Sequence, residues 1–266
     1  MLARLRRALS NQRFGPAEVT NIRKLTPHMI RLTLTSEMIN TFSPHAAGGH
    51  FKLVVPGRDE TQAKFERMIE SGDFKSAMRT YTVRNVRPNL SEIDVDIVTH
   101  GDLGRVGPWA QRTQSGDAIV ISRCGSPKLI TNGVTRILAA ADMTGFPALA
   151  AGLETIGEGV QVDAFVEILS EEDRQQLRLP YGASISWIVK PDPYAPGTQL
   201  IDAMRAADAP DETTSVFVAG EFSMVGDLRT YFRRDLAVPK DRLYVSSYWK
   251  AGVDEPAHKL AKAAAA

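Results

Sequence analysis

The hydrophobic pattern of the chain changes once, near residue 130, and this change restricts the folds open to it. Before it, short alternating or β-branched runs stand between turn residues, at residues 29–35, 50–55, 79–84, 93–99 and 117–122. Short strands at such spacing predict a small antiparallel barrel between about Ala17 and Leu129. Residues 60–78 carry apolar residues three and four apart, which predicts a helical excursion between two strands.

After Gly133, predicted strands alternate with predicted helices. The strands are at residues 135–141, 161–168, 184–189, 215–219 and 243–248, and the helices at 146–156, 198–206 and 222–235. Strands separated by helices predict a doubly wound, mostly parallel α/β domain. We therefore expect domains at 1–130 and 131–252, with a hinge near residues 128–133. We expect the tail, 253–266, to be a solvated end, a frayed helix or a partner contact.

Composition excludes several classes of protein. The chain has 266 residues, enough for two domains, and no apolar run approaches the ~18 residues of a membrane helix. Its single cysteine, Cys124, excludes an internal disulfide, a four-cysteine iron–sulfur cluster and a thiolate zinc site. Residues 1–13 are basic but lack a secretory signal, so we expect a cytoplasmic protein. This segment would form either a helix that caps the domain or a membrane contact.

Charge is distributed unevenly along the chain. Residues 1–128 carry 19 Lys and Arg against 12 Asp and Glu, and the remainder carries 13 against 19. This asymmetry supports two domains and favours an anionic ligand on the first, although solvated surface charge would give the same count. The net charge of +1 gives no indication of nucleic-acid binding.

Several catalytic signatures are missing from the sequence. It has no Gly-x-Ser-x-Gly elbow, no Gly-x4-Gly-Lys-Ser/Thr loop and, in its second half, no Gly-x-Gly-x-x-Gly turn. The spacing of His45 and His50 does not suit a catalytic metal site. Cys124 is interpreted as a small hydrophobic residue rather than a nucleophile.

Residues 79–84, RTYTVR, carry the most informative chemistry. Strand alternation puts Arg79, Tyr81 and Val83 on one face and Thr80, Thr82 and Arg84 on the other. A guanidinium, an aromatic ring and a hydroxyl this close can bind a phosphate, stack on a planar ring and hydrogen-bond its heteroatoms. The alternative is an ordinary barrel strand with an exposed aromatic residue.

A glycine-rich turn follows the strand at 93–99. Residues 98–110 are VTHGDLGRVGPWA, and we expect a helix to begin at Pro108. Glycines let backbone amides approach a ligand, and a helix N-terminus adds partial positive charge for a pyrophosphate. Such a turn alone indicates little, but after an Arg-x-Tyr-Thr strand in a barrel it strongly favours a phosphorylated ligand.

These segments resemble the siderophore-interacting protein family, the cytoplasmic ferric-siderophore reductases within the ferredoxin–NADP reductase-like superfamily. The matching landmarks, in order, are residues 79–82, 100–110, 142–148 (DMTGFPA), 219–221 (AGE) and 248–252 (YWKAG). Met143 and Gly145 depart from the family's Asp-Glu-Thr-Ala. The resemblance spans about residues 17–252. It implies a six-stranded antiparallel flavin-binding barrel followed by the doubly wound α/β domain.

The resemblance implies FAD in the barrel, held by residues at matching positions. Arg79 would pair with the FAD phosphates, Tyr81 would stack on the isoalloxazine, and Thr82 would hydrogen-bond near its reactive nitrogen. Thr144 would lie near the adenine or the ring edge and Trp249 near the flavin face, although helix capping and core packing are alternative roles for the two. The other cofactor-binding residues that it implies are Val98, His100, Gly107, Pro108, Trp109, Ala110 and Asp142.

It also implies a shallow substrate site of basic side chains, which would attract anionic ferric siderophores. Lys52 and Lys250 match basic positions of the family, Lys250 in place of its usual arginine. The third basic residue normally stands in a Gly-Pro-Arg-Gly turn, from which residues 122–128, SRCGSPK, depart. Arg123 or Lys128 would supply that charge. The siderophore holds the iron, so we expect no protein metal ligand.

The expected function is therefore FAD-dependent reduction of a ferric siderophore, with no catalytic acid, base or nucleophile. Fe³⁺ holds oxygen donors tightly and Fe²⁺ is released more readily. The donor would be NAD(P)H or a reduced ferredoxin, and Arg229, Arg233 and Arg234 would receive a 2′-phosphate, receive an acidic ferredoxin or form a solvated face. Alternatives are a general NAD(P)H:flavin or ferric reductase without siderophore specificity, and a non-redox siderophore-binding module. We expect a monomer without a nucleic-acid partner.

Overall fold

The chain forms two compact units, Met1–Pro127 and Lys128–Ala266, each around its own hydrophobic core. The computed structural model describes residues 2–9, 13–99, 104–130 and 132–265. None of the helices in these ranges is both long enough and apolar enough to cross a bilayer. The two fold classes expected from the sequence, an antiparallel barrel and a parallel α/β domain, are confirmed.

The first unit is an antiparallel sheet of seven strands, in the order β4-β3-β7-β1-β2-β6-β5. The strands are β1 Phe14–Thr26, β2 Met29–Thr35, β3 His50–Val54, β4 Met78–Thr82, β5 Asn85–Arg87, β6 Glu92–Val98 and β7 Ala118–Ser122. Just beyond β4, the backbone N–H of Arg84 donates to the carbonyl of Asp94 in β6 at 2.8 Å. The two ends of the strand order therefore meet, and the sheet closes.

The described residues of the first unit form seven strands, one more than the six that the resemblance implied. The sequence pattern indicated five of them, because β1 and β5 give weak signals. β1 contains Pro16 and carries the exposed polar residues Asn21, Arg23 and Lys24 in its second half, and only its first half alternates buried and partly buried positions. β5 has three residues, and its side chains bind a neighbouring strand: Asn85 and Arg87 both donate to the Asp94 carboxylate. Neither strand shows the apolar alternation on which the prediction rested.

Among the described residues, the first unit contains three α-helices: α1 Leu2–Ala8, α2 Gln62–Glu70 and α3 Val106–Ala110. The predicted helical excursion contains α2. Leu5 in α1 and Leu9 just after it lie buried in one cluster with Phe65 and Ile69 of α2. The apolar side of the basic N-terminal segment thus packs within the unit as a cap, and the alternative of a membrane contact is not needed to explain it.

Alternation on β6 separates an apolar face from a charged one. Ile93, Val95 and Ile97 point into the barrel core, whereas Asp94 and Asp96 lie on the other face and are also buried. The Asp94 carboxylate accepts two hydrogen bonds from Arg87, at 2.7 and 2.8 Å, along with bonds from Asn85 and Thr33. Asp96 accepts two from Arg31. These charges join β2, β5 and β6 across the outer face of the barrel.

The second unit is a parallel five-stranded sheet in the order β10-β9-β8-β11-β12. Its strands are β8 Arg136–Ala141, β9 Gln161–Ile168, β10 Ser184–Val189, β11 Thr214–Glu221 and β12 Leu243–Trp249. The helices are α4 Phe146–Leu153, α5 Thr198–Ala206, α6 Phe222–Thr230 and α7 Glu255–Ala264. The order reverses between β8 and β11, so the carboxyl ends of these two strands form the crevice in which sheets of this type bind ligands.

One predicted helix ends earlier than expected, and another changes its hydrogen bonding over its last five residues. α4 stops at Leu153 rather than residue 156, because Thr155 turns back and donates its amide and hydroxyl to the Gly152 carbonyl. α6 ends at Thr230, and residues Tyr231–Asp235 form a π turn in which Leu236 N–H donates to the Tyr231 carbonyl. The widened turn takes the place of the last turn of the predicted helix.

The C-terminal tail is a packed helix, which corrects the expectation of a solvated end. Asp254 caps α7 by accepting from Ala257 N–H at 3.0 Å. His258 is buried, with Nε2 2.9 Å from Ser247 Oγ in β12, and Lys262 Nζ donates to Ser246 Oγ at 2.6 Å. Burial lowers the pKa of His258, and the nearby Lys262 charge lowers it further. The helix therefore docks onto β12 through polar contacts that hydrophobic periodicity cannot indicate.

The charged face of the barrel predicts acid sensitivity. Burial raises the pKa of Asp94, but the hydrogen bonds from Arg87, Asn85 and Thr33 outweigh it and lower the pKa from 3.8 to about 2. A depressed pKa stabilises the folded state above pH 3.8, and this stabilisation is lost as the pH falls through 2. We expect the free energies of unfolding of wild type and Asp94→Asn to converge by about 2 kcal/mol between pH 5 and pH 2.

Urea unfolding at each pH measures this difference. Asp73→Asn, at an exposed loop carboxylate, is the matched control and should run parallel to the wild type. Parallel curves for Asp94→Asn and the wild type would contradict the prediction.

Candidate functional site

Strand β4 presents the Arg-x-Tyr-Thr segment beside β3, with Phe51 opposite Tyr81 and Lys52 opposite Thr80. The Tyr81 ring is partly buried and packs against the barrel core with one part of its surface. Arg79 is half-buried, and its Nη1 donates to the carbonyls of Ser76 at 2.7 Å and Met78 at 3.0 Å. These bonds hold the guanidinium against the chain that enters β4.

Lys52 is tied into the same region of β3. Its Nζ donates to Thr80 Oγ1, and its backbone N–H donates to Ser122 Oγ at 2.8 Å. Ser122 ends β7, and the next residue, Arg123, is exposed. The fold therefore brings Lys52 close to the start of the segment that carries Arg123. Lys128, the other candidate for the third basic residue, is the first residue of the second unit.

The helix that follows the glycine-rich turn begins earlier than predicted. α3 begins at Val106, two residues before the expected Pro108, because Val106, Trp109 and Ala110 are all buried in the barrel core. A Cβ added to Gly107 would lie 3.3 Å from the Val98 carbonyl oxygen, so the start of α3 packs tightly against the end of β6. Trp109, 3% exposed, anchors α3 through its side chain. His100 lies outside the described residues.

In the second unit, the carboxyl ends of β8, β11 and β12 meet at Asp142. Its Oδ1 accepts from Thr144 N–H at 2.8 Å, from the Thr144 hydroxyl at 2.6 Å and from Gly145 N–H at 3.0 Å. Its Oδ2 accepts from Trp249 Nε1 at 2.7 Å. Asp142, Thr144 and Trp249, three residues expected at a cofactor site, thus form one hydrogen-bonded group.

This group requires glycine at two neighbouring positions. A Cβ on Gly145 would lie 2.4 Å from the Ala219 carbonyl oxygen, so the family's alanine would not fit this backbone. A Cβ on Gly220, whose φ is +154°, would lie 2.7 Å from both Cγ and Oδ2 of Asp142. An added Cβ would thus meet the Ala219 backbone at one position and the Asp142 carboxylate at the other.

The residues after β11 and β12 are fastened to each other. Glu221 caps α6 by accepting from Ser223 N–H, and its other oxygen accepts from Ala251 N–H at 3.2 Å. Lys250, the residue before Ala251, has its Nζ 4.5 Å from the centre of the Phe222 ring, a cation–π contact. The ammonium group that was predicted to meet substrate therefore packs on an aromatic ring at the helix start.

Sequence reasoning missed three residues that support this edge: Glu167, Lys190 and Tyr194. The Tyr194 ring lies edge-on to Trp249, with 6.0 Å between ring centroids. Its loop is held by Lys190, which pairs with buried Glu167 at 3.0 Å and donates to the Ala195 carbonyl. Burial raises the pKa of Glu167, and Lys190 partly offsets the shift. Of the three, only Glu167 gave a signal in the sequence, because it is an acidic residue within a largely apolar strand.

The basic residues Arg229, Arg233 and Arg234 lie toward the opposite ends of the strands, away from the carboxyl ends of β8, β11 and β12. α6 starts at the carboxyl end of β11 and runs back, and the next strand, β12, begins opposite Val216 near the start of β11. Ligands of parallel α/β sheets bind at the carboxyl ends of the strands. The hypothesis that these arginines receive a 2′-phosphate is therefore inconsistent with the topology.

Two protein-family models together match most of the chain. The model of the siderophore-interacting FAD-binding domain matches residues 18–127, and that of the siderophore-interacting protein matches residues 134–252. The chain belongs to the siderophore-interacting protein family. The resemblance inferred from the motifs is confirmed, including an FAD-binding domain in the first half.

Similar proteins cover nearly the full length of the chain. Ferric vibriobactin reductase ViuB of Vibrio cholerae is 29% identical over 257 residues, 93% of this chain and 94% of that protein. Rv2895c of Mycobacterium tuberculosis is 30% identical over 256 residues, 90% of each chain. The NADPH-dependent ferric-chelate reductase of Escherichia coli is 24% identical over 255 residues, 92% and 96% of the two. The crystal structure of the siderophore-interacting protein SipS from Aeromonas hydrophila matches with a TM-score of 0.82 and 27% identity, covering 94% of this chain and 97% of that one.

The close contacts of Gly220, near the end of β11, lead to a prediction about the free energy of unfolding. We expect Gly220→Ala to lower the free energy of unfolding by more than about 2 kcal/mol, because the added methyl group meets the Asp142 carboxylate at a backbone conformation that favours glycine. Gly226→Ala, in α6, is the matched control: nothing lies within 4 Å of its added Cβ. It should stabilise by about 0.5–1 kcal/mol. Urea unfolding of both variants tests the pair, and equal effects would refute the steric argument.

Proposed function

We propose that this family member is an FAD-dependent ferric-siderophore reductase. The observation that carries the proposal is β4, where Arg79 and Tyr81 supply a guanidinium and a half-buried aromatic ring and the buried Thr82 ends the strand, in a domain of the FAD-binding type. This set provides a cation for phosphates and a flat surface for a ring, so the residues present fit FAD. The names of ViuB and the Escherichia coli relative support the ferric substrate.

The residues of the first unit that we propose as cofactor-binding would each make a different contact with FAD. Arg79 would pair with phosphate oxygens, Tyr81 would support the ring system and Thr82 would donate or accept near its edge. The backbone amides of residues 107–110, together with His100, would hold the ribityl chain and the pyrophosphate, and the buried Trp109 and Ala110 keep this part of α3 in place. Bound FAD would supply an acceptor for the hydride of NAD(P)H and a source of single electrons, two of which would reduce two ferric ions.

The reaction requires the protein to bind, orient and shield, and no side chain has to form a covalent bond. Fe³⁺ in the siderophore is the substrate, and its reduction to Fe²⁺ weakens the hold of hard oxygen donors. Lys52, Arg123 and Lys250 are the cations proposed to attract an anionic ferric siderophore. We place the reaction in the cytoplasm and propose a monomeric enzyme with NAD(P)H as donor, a reduced ferredoxin being the alternative.

The first test is a visible spectrum of the FAD-loaded protein before and after anaerobic addition of NADPH. We expect the flavin absorption bands to bleach and to return when a ferric siderophore is added. Flavin that stays oxidised with NADPH but is bleached by reduced ferredoxin would assign the other donor. Failure to bind FAD would refute the proposal and favour a non-redox siderophore-binding module.

The role of Arg79 predicts a selective loss of affinity. Arg79→Ala should weaken FAD binding by about tenfold to a hundredfold, because a charge-assisted hydrogen bond to phosphate is lost. Fluorescence titration with FAD measures the dissociation constant. Arg67→Ala, which removes an exposed arginine from α2, should bind FAD like the wild type. Equal affinities for all three proteins would exclude the assignment.

The basic side chains predict charge-dependent substrate affinity. Lys52→Ala and Lys250→Ala should each raise the KM for an anionic ferric siderophore about two- to fivefold, with less effect on a neutral one and little on kcat. Steady-state kinetics at low and high salt check this, with Lys64→Ala on α2 as the control. Unchanged KM in both variants and in their combination would favour the general ferric reductase without siderophore specificity.

A further inference from the structure

Asp142 stands at a cofactor position by resemblance, yet the hydrogen bonds of its carboxylate go to the protein itself. Three donors from Thr144 and Gly145 meet Oδ1, and the indole N–H of Trp249 meets Oδ2 at 2.7 Å. The residue is 7% exposed. A bond from an indole to a carboxylate in such a place is charge-assisted and strong, so it restricts the ring it holds.

Two other features restrict the same indole. Tyr194 meets the Trp249 ring at an interplanar angle of 76°, from a loop that the Glu167–Lys190 ion pair holds. The pairing of β11 with β12 shifts register between Gly220 and Glu221, which places Trp249 opposite Glu221. The ring is therefore held by its backbone, by an aromatic neighbour and by Asp142, and Asp142 alone bonds the ring nitrogen among these three.

We propose that Asp142 is a positioning residue that fixes the plane of the Trp249 indole, and that this plane sets how a flat aromatic group stacks against Trp249 during electron transfer. The stacking part of this inference rests on the proposed function. Stacked rings need a defined plane, and a tryptophan without a fixed N–H can rotate about its two side-chain torsions. Gly220 then has a functional reason: it leaves space for the carboxylate that holds the ring.

Substituting asparagine for Asp142 tests the bond to Trp249 separately from the bonds to Thr144 and Gly145. Three donors converge on Oδ1, so the single carbonyl oxygen of an asparagine would stay there and its amide N–H groups would face the indole N–H. Asp142→Asn thus keeps the turn before α4 and removes the bond to Trp249. Asp211→Asn is the matched control, because the Asp211 carboxylate accepts the same kinds of bonds from Thr213 and Thr214 at the opposite edge of the sheet.

The experiment observes the three tryptophan indole N–H signals by NMR in ¹⁵N-labelled protein with FAD added, using Trp249→Phe to assign one of them. In Asp142→Asn we expect the Trp249 signal to move and its hydrogen exchange to speed up by about tenfold or more, with Trp109 and Trp187 unchanged. Asp211→Asn should match the wild type. Unchanged position and exchange of the Trp249 signal in Asp142→Asn would overturn the proposal.

Kinetics then test whether the indole carries the effect. Asp142→Asn should lower the maximal rate of flavin reduction or reoxidation by about tenfold. In a Trp249→Phe background the same substitution should add nothing, because the bond is already absent. An equal further loss in that background would overturn the positioning role. If Asp142→Asn does not fold, Trp249→Phe decides alone: it keeps a ring without a donor, so a wild-type rate would overturn the proposal and a reduced rate would support it.

The proposed function and this inference fail in different ways. A wild-type protein whose flavin is reduced by none of the donors would refute the reductase. The indole signal needs no turnover, and it would still accept or reject Asp142 as the residue that fixes Trp249.

Discussion

The close approach of β8 and β11 at their carboxyl ends is the constraint on which the second unit depends. Gly145 and Gly220 have no room for a Cβ, and the space between them holds the Asp142 carboxylate. From that carboxylate, hydrogen bonds reach the turn before α4 and the indole at the end of β12. A parallel sheet gathers its strand ends at one edge, so a single short acidic side chain can connect segments more than a hundred residues apart in sequence.

The first unit depends instead on the closure of a sheet of short strands. Alternation on β6 gives an apolar side that fills the barrel and a charged side that arginines cover. The buried carboxylates Asp94 and Asp96 would be costly alone, and bidentate bonds from Arg87 and Arg31 offset that cost. Closure in turn holds β4 in place, with Lys52 and Thr80 bonded across the β3–β4 pair. The chemistry of the Arg-x-Tyr-Thr segment depends on this frame.

Local pattern predicted those elements whose side chains follow one period throughout. β9, β10 and α5 have the boundaries expected from periodicity, because apolar and polar residues repeat along their whole length. β1 was hidden by Gly15, Pro16 and an exposed polar half, and α7 by the polar side chains that dock it. The start of α3 was misplaced, since a proline at the third helical position resembles one at the first.

The site could be predicted residue by residue but not as an arrangement. Motifs named Asp142, Thr144 and Trp249, yet sequence carries no signal that one carboxylate bonds both of the others. Tyr194 and Lys190 lie in a loop without periodicity, and their partners are distant in sequence. Long-range contacts of this kind follow from strand order, which local propensity does not encode.

The docking of α7 has a consequence for association between molecules. β12 is the terminal strand of its sheet, and terminal strands offer backbone groups to which another chain can add a strand. Lys262 donates to the Ser247 carbonyl at 2.9 Å, and His258 contacts the side chain of the same residue. α7 therefore packs on the end of a terminal strand and bonds one of its backbone carbonyls, so a strand added along β12 would have to compete with the helix there.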